Sequence, residues 1–179
     1  IQNIKDKNYI FLNAIKSKTS LDYEKLGSEL YIFLKNNKIE KSFFETNLSN
    51  VTNIQLEKFL HGAQLKSYEF NVYKTDQSKN PTTNLYVIGH KSKKTNSLRN
   101  KLNSLLEGIF LTRDLVSEPG NVLHPDEYTR RIVRLRKFGL KVTVYDKKKL
   151  KKMGMNALLG VGQGSVRGSY LVTIEWKGT

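Results

Sequence analysis

Apolar residues recur at helical spacing early in the chain. Leu26, Leu30, Phe33 and Leu34 stand at i, i+4, i+7 and i+8, with Ser20 or Asp22 placed to cap the start and Asn36-Asn37 to end the run. Residues 39–46 are rich in aromatics and short enough for a strand. A second helical pattern opens at about Thr52 and turns Ile54, Phe59, Leu60 and Ala63 inward, and residues 68–73 and 85–89 then read as strands. Helix and strand signals alternate, which argues for an α/β layer with mixed or parallel strands rather than a bundle.

Turn and breaker residues fill 74–84 (KTDQSKNPTTN), and 90–97 (HKSKKTNS) form a second polar segment. The strongest helix follows. Leu98, Leu102, Leu105, Leu106, Ile109, Phe110 and Leu115 hold helical spacing until Pro119-Gly120 stops it, which suits a connector between two α/β parts. Pro125 fits a first helical position with Asp126 and Glu127 in the first turn, where the helix dipole favours negative charge. Tyr128, Ile132 and Leu135 share one face of that helix, Arg130, Arg134 and Lys137 the other, and Gly139 closes it. Leu140, Val142 and Val144 then alternate with Lys141, Thr143 and Tyr145 as in a strand. A short helix runs from Asp146 to Gly154, and residues 170–176 form a last alternating strand.

Composition narrows the classes. The 179 residues are 38% apolar and 26% charged, a globular balance. Cysteine is absent, which excludes disulfides, thiolate metal ligands and cysteine nucleophiles, and no apolar run approaches the roughly 18 residues that cross a bilayer. Residues 1–11 lack the order of a secretory signal, so the chain reads as an internal or truncated piece of a cytosolic protein. Its 31 Lys and Arg against 16 Asp and Glu give a formal +15, which attracts phosphate backbones whatever the fold. Of the 31, 24 are Lys, in company with abundant Asn and Ile, the pattern an AT-rich genome leaves. The run Lys147-Lys148-Lys149-Leu150-Lys151-Lys152 reads as a solvated helix face.

Candidate chemistry is sparse. Gly160-Val161-Gly162-Gln163-Gly164-Ser165 invites a phosphate-loop reading, yet Ser165 stands where a dinucleotide fingerprint needs Gly, and no Lys-Ser or Lys-Thr follows as a Walker loop requires. A tight turn or bulge between strands is the reading it supports. His61, His90 and His124 have no partner at metal-ligand spacing; His124, before Pro125, is placed to cap a helix. Asp114 and Glu118 are i, i+4 beside Arg113, which permits a metal or acid-base pair and favours capping and ion pairing. Ser117 and Ser165 have no plausible set of His and acid partners nearby in sequence. Aromatic and basic residues interleave over 68–74, as in sheets that stack single-stranded bases, although core packing explains the pattern more simply.

Three blocks together resemble the leucyl (cytosol) aminopeptidases. His61-Gly62-Ala63-Gln64-Leu65, followed by Tyr68-Glu69-Phe70-Asn71-Val72-Tyr73-Lys74-Thr75, resembles that family's "G-x-x-L-x-x-Y-x-F-x-x-Y-K" stretch. Residues 112–125 are similar to its "A-R-D-L-V-N-x-P-x-N-x-x-x-P" junction, with Ser117 for the usual Asn and Gly120 for the usual Ala. Residues 153–165 are similar to its "G-M-x-A-L-L-G-V-G-Q-G-S" segment. The blocks occur in the family's order and cover residues 61–176.

The resemblance implies an α/β fold: part of an N-terminal α/β (macro-like) domain over residues 1–95, a long linking helix over 96–119, and the first part of a C-terminal α/β peptidase domain, with a mixed, mostly parallel sheet, over 120–179. It also implies release of N-terminal residues, often leucine, from peptides by cytoplasmic hexamers that use two divalent metal ions, manganese or zinc. Such ions lower the pKa of a bridging water and polarise the scissile carbonyl. The family's metal-binding "K-G-x-x-F-D-S-G-G" segment has no counterpart here, and Lys177-Gly178 stands in another context. No catalytic residue, cofactor-binding residue or metal ligand is therefore carried over, and the chain alone is expected to be inactive. Two other classes remain as alternatives. A basic nucleic-acid-binding module is motivated by the +15 charge, and a structural or oligomer-contact element is an alternative without chemistry of its own.

Overall fold

The computed structural model describes residues 2–4, 7–9, 19–46, 51–75, 83–88 and 96–178. They divide into two compact units, Ile1–Asp114 and Leu115–Thr179.

The first unit opens with an antiparallel pair, β1 (Gln2–Ile4) and β2 (Lys7–Tyr9). Helix α1 (Ser20–Asn36) starts from Thr19, not from Ser20 or Asp22. Thr19 Oγ1 accepts from the Asp22 amide at 3.2 Å and Asp22 Oδ2 accepts from the Thr19 amide at 2.8 Å, so Asp22 closes a capping box instead of providing the cap. Helix α2 (Asn53–Lys66) repeats the device with Thr52 and Gln55. The two helices cross closely at Gly27 and Gly62, where backbone meets backbone. Around that crossing lies the core of the unit: Tyr23, Leu30, Leu34, Leu56 and Phe59. Full burial of such a side chain is worth about 1.5–3 kcal/mol. Ile54, expected to face inward, is exposed, and Leu56 takes its place; the inward stripe of α2 runs through Leu56, Phe59 and Ala63.

Strands β3 (Lys41–Glu45) and β4 (Asn84–Ile88) pair in parallel, with Phe43 opposite Tyr86 and Phe44 opposite Val87. One face of the pair, Phe44, Leu85 and Val87, packs on the helical core, while Phe43, Tyr86 and Ile88 on the other face are exposed. Gly89 and most of the polar segments 74–84 and 90–97 lie outside the described residues. Residues 68–73, read as a strand from their alternation, are irregular and end in a turn closed by the Lys74 amide on the Asn71 carbonyl. Their side chains are drawn to non-local partners instead: Glu69 to Lys35 of α1, and Tyr68 to the next helix.

That helix, α3 (Asn96–Ser117), has the length its apolar spacing predicts, and Pro119 follows its end. Only Leu102 of its apolar stripe is buried, while Leu105, Leu111 and Val116 are exposed. Polar side chains tie α3 to α2 and to the segment after it. Arg99 grips the buried Glu57 carboxylate with its Nε at 3.1 Å and one Nη at 2.5 Å, and Arg113 donates to the Leu65 carbonyl at 2.7 Å.

In the second unit, α4 (Pro125–Val133) begins with Pro at its first position, as read from the sequence. It gives way after Val133 to a 3-10 turn over Arg134–Phe138, so Leu135 does not extend the α-helical face; Gly139, with φ 82°, closes the turn. Strand β5 (Lys141–Tyr145) leads through the N-cap Asp146 into α5 (Lys147–Lys152), then α6 (Asn156–Gly162) and β6 (Leu171–Glu175). Strands β5 and β6 are antiparallel, with Thr143 opposite Thr173. Parallel β3–β4 and antiparallel β5–β6 make the described strands mixed, and the pair in this second unit is the antiparallel one. Val142 and Leu150 are the buried apolar residues among the described residues of this unit. The glycine-rich stretch 160–165 is not a turn between strands: α6 runs through Gly162, and only its end turns.

Candidate functional site

In the first unit the buried polar residues gather on α2. His61 is 3% exposed. Its Nδ1 lies 3.4 Å from Glu24 Oε1, which also accepts from Lys58 Nζ at 2.9 Å. His61 Nε2 is buried without a hydrogen-bond partner. The spacing of the histidines gives no sign of this burial; the close approach of Gly62 to α1 is what brings His61 inside. Nothing in local sequence joins it to Glu24, 37 residues away.

Asp114 and Glu118 do not act as a pair. Asp114 accepts from the Tyr68 hydroxyl at 2.9 Å, and the Tyr68 ring packs against Phe110 and under the Arg113 guanidinium. The aromatics of 68–74 are therefore partly spent on α3 and on one another, Phe70 against Tyr73, and form no strand-borne stacking platform. Glu118, nearly buried, holds Arg131 at 2.8 Å. Glu127 binds both Arg130 and Arg131, whose guanidinium groups hold its carboxyl below the ordinary carboxylate range, Arg131 more strongly.

His124 occupies the N-cap of α4 but its side chain does not cap; Nδ1 stands 3.3 Å from Asp126 Oδ2 without hydrogen-bond alignment. Asp126 instead receives the Tyr170 hydroxyl at 2.6 Å. This bond lowers the carboxyl pKa and raises that of the phenol, so Tyr170 is a neutral donor here, not a nucleophile. Asp126 and Tyr170 lie 44 residues apart, and no sequence pattern joins them. Ser165 Oγ accepts from the Arg167 amide, Ser117 ends α3 exposed, and His90 lies outside the described residues. The glycines of 160–165 belong to a helix end, so no nest of amides is presented there for phosphate.

A pair of divalent ions needs several carboxylate or imidazole donors converging on one point. Among the described residues no three His, Asp or Glu side chains gather in that way. Around His61 there is one imidazole, one carboxylate and the competing Lys58 ammonium; in the second unit the carboxylates are already held by Arg, Tyr, Lys or a helix cap. The residues present do not fit a metal centre, and no step of metal chemistry is derived from them.

Comparison with known proteins supplies what side-chain geometry does not. Residues 110–179 match the cytosol aminopeptidase family, catalytic domain. A probable cytosol aminopeptidase of Phytoplasma mali is 40% identical over 135 residues, 73% of this chain and 27% of that protein. One of Sinorhizobium fredii is 36% identical over 172 residues, 89% of this chain and 33% of the relative. The chain thus spans about a third or less of the length of these relatives. Among solved structures, a tomato leucine aminopeptidase mutant superposes with a TM-score of 0.73 at 19% identity, over 88% of this chain and 34% of its own. The bottromycin maturation enzyme BotP in complex with Mn does so with a TM-score of 0.70 at 20% identity, over 90% of this chain and 34% of its own. These superpositions show a shared α/β fold, and no described helix is long and apolar enough to cross a membrane. By its sequence matches over both units, this chain belongs, as a partial sequence, to the cytosol aminopeptidase family.

Proposed function

We propose that this chain is scaffold of a cytoplasmic leucyl aminopeptidase, which releases N-terminal residues from peptides by two-metal hydrolysis in a hexamer. On this reading residues 1–95 come from an N-terminal α/β domain, 96–119 link, and 120–179 open the peptidase domain, with the metal ligands contributed by polypeptide outside these residues. The observation that carries the reading is the match of residues 110–179 to the family's catalytic domain, reinforced by 40% identity to a relative across 73% of the chain. Support for a scaffold role comes from how the carboxylates of the second unit are used. Glu118 and Glu127 fix Arg131 on α4, Asp126 fixes Tyr170 at the start of β6, and Glu175 fixes Lys141 across the β5–β6 ladder. Glu127 is spent within α4 and the other three join one element to another; a carboxylate so engaged is a poor metal ligand. BotP is described in complex with Mn, so manganese is the ion to test. Equilibrium dialysis of the 179-residue chain against Mn2+ is expected to show no stoichiometric binding. Binding of one or two ions per chain at micromolar concentration would place a metal site within these residues and overturn the scaffold reading.

A further inference from the structure

We infer that the outer edge of β6 is a peptide-binding edge, which takes an extended acidic strand with alternating apolar side chains from another polypeptide by main-chain hydrogen bonds. The inference does not depend on the peptidase reading.

Strands β5 and β6 form a two-stranded ladder, so each has one edge turned away from the other. Along an antiparallel pair, residues alternate between bonding the partner strand and turning their N–H and C=O outward. On β5 the outward carbonyls are those of Val142 and Val144, because side chains from outside the ladder reach them. Arg136 donates to the Val142 carbonyl with Nε at 3.1 Å and one Nη at 2.5 Å, and Lys149 Nζ donates to that of Val144 at 3.4 Å. Charged side chains folded against a strand block it from pairing with a further one, so the β5 edge is protected.

The β6 edge is not. Val142 lies opposite Ile174, and Val144 opposite Val172, so Val172 and Ile174 are the residues of β6 that turn outward. Among the described residues no group bonds their outward N–H and C=O. Unmet main-chain groups at strand spacing are what strand addition uses. The side chains then set the partner's pattern. Val142, Val144, Val172 and Ile174 share one face of the ladder, and Lys141, Thr143, Thr173 and Glu175 share the other. Val142 is buried while Ile174 is exposed, so the apolar stripe reaches the open edge uncovered. A strand laid antiparallel along β6 extends that stripe when apolar residues stand opposite Val172 and Ile174 and polar ones stand between them.

Charge decides between occupants. Residues 115–179 contain 13 Lys and Arg against 5 Asp and Glu, a net of +8. A second copy brings another +8 to the edge and is repelled, whereas acidic residues at the polar positions are attracted. Glu175, the one acid on β6, is already held by Lys141. Since β6 is five residues long, a partner of about seven residues spans it.

The test is fluorescence anisotropy of a labelled seven-residue peptide alternating Glu with Val, Glu at both ends, titrated with the full 179-residue chain at low salt. Saturable binding is expected. N-methylation of the Val amides, which face β6 in this pairing, is expected to weaken it by about tenfold, and N-methylation of the outward Glu amides by less than about twofold. Lys in place of Glu is expected to weaken it by about fivefold. I174P removes one outward amide of β6 and is expected to weaken it by about tenfold. The methylated peptides, used on the unaltered chain, keep the test readable should I174P unfold. Equal affinity of the two methylated peptides would mean apolar contact without main-chain pairing and overturn the inference. So would absence of binding, equal binding of the Lys peptide, or a concentration-dependent dimer of the chain that I174P abolishes, which would give the edge to a second copy.

Discussion

A Cβ on Gly27 of α1 would stand 2.8 Å from the carbonyl carbon of Phe59 in α2, and closer still to its oxygen. The crossing of the two helices is set by this approach, reinforced where a Cβ on Gly62 would come 2.6 Å from the Glu24 Cα. Gly27→Ala is therefore expected to destabilise the first unit by about 2–3 kcal/mol, since the obstacle is backbone and cannot rotate away. Gly108 in α3 has nothing within 4 Å of a Cβ, and Gly108→Ala is expected to stabilise by about 0.5–1 kcal/mol through helix propensity alone. Urea titrations of the two variants followed by far-UV circular dichroism give opposite shifts if the crossing is as described.

Lys38 ends α1 with φ 54°, a left-handed conformation that suits glycine. The Lys38 amide bonds the Lys35 carbonyl and the Ile39 amide bonds the Leu34 carbonyl, which places Ile39 against the core. Lys38→Gly relieves the strain at this position and is expected to add about 0.5–1 kcal/mol. A raised urea midpoint with an unchanged slope is the result to look for; a lowered midpoint would mean that the lysine stem packs usefully.

Local signals were legible where the responsible partner lies within a few residues. Caps and stops at Thr52, Pro119, Pro125, Gly139 and Asp146, the length of α3, and the strands β3, β4, β5 and β6 follow from spacing and turn chemistry. What the pattern misplaced depends on distant partners. Residues 68–73 alternate like a strand, but Tyr68 and Glu69 are committed to Asp114 and Lys35. The glycines at 160 and 162 suggested a turn, whereas their helical neighbours Leu158 and Leu159 are half-buried and carry the helix through them. The Glu57–Arg99 and Asp126–Tyr170 contacts span more than forty residues and leave no local trace. Family membership is legible in three short blocks because they stand in the family's order along the chain, not because any of them forms a reactive cluster.

Acid should loosen the second unit through two carboxyls. Asp126, bonded by Tyr170, and Glu127, held by Arg131 and Arg130, both have folded-state pKa values below their ordinary ones. A depressed carboxyl stabilises the fold above its unfolded pKa, and that contribution is lost as pH falls through the folded value. Stability reported by Trp176, the single tryptophan, is expected to be level above about pH 5 and to fall below about pH 4. In D126N/E127Q the profile is expected to flatten over this window. An unchanged slope in the double variant would show that other groups govern the acid transition.

On the proposed scaffold role, these residues support peptide hydrolysis without performing it. Its most direct test is release of p-nitroaniline from L-leucine p-nitroanilide by the purified 179-residue chain with added Mn2+ or Zn2+. The expected rate is no higher than that of the metal ions alone; saturable turnover that scales with the chain and is abolished by EDTA would overturn the proposed scaffold role.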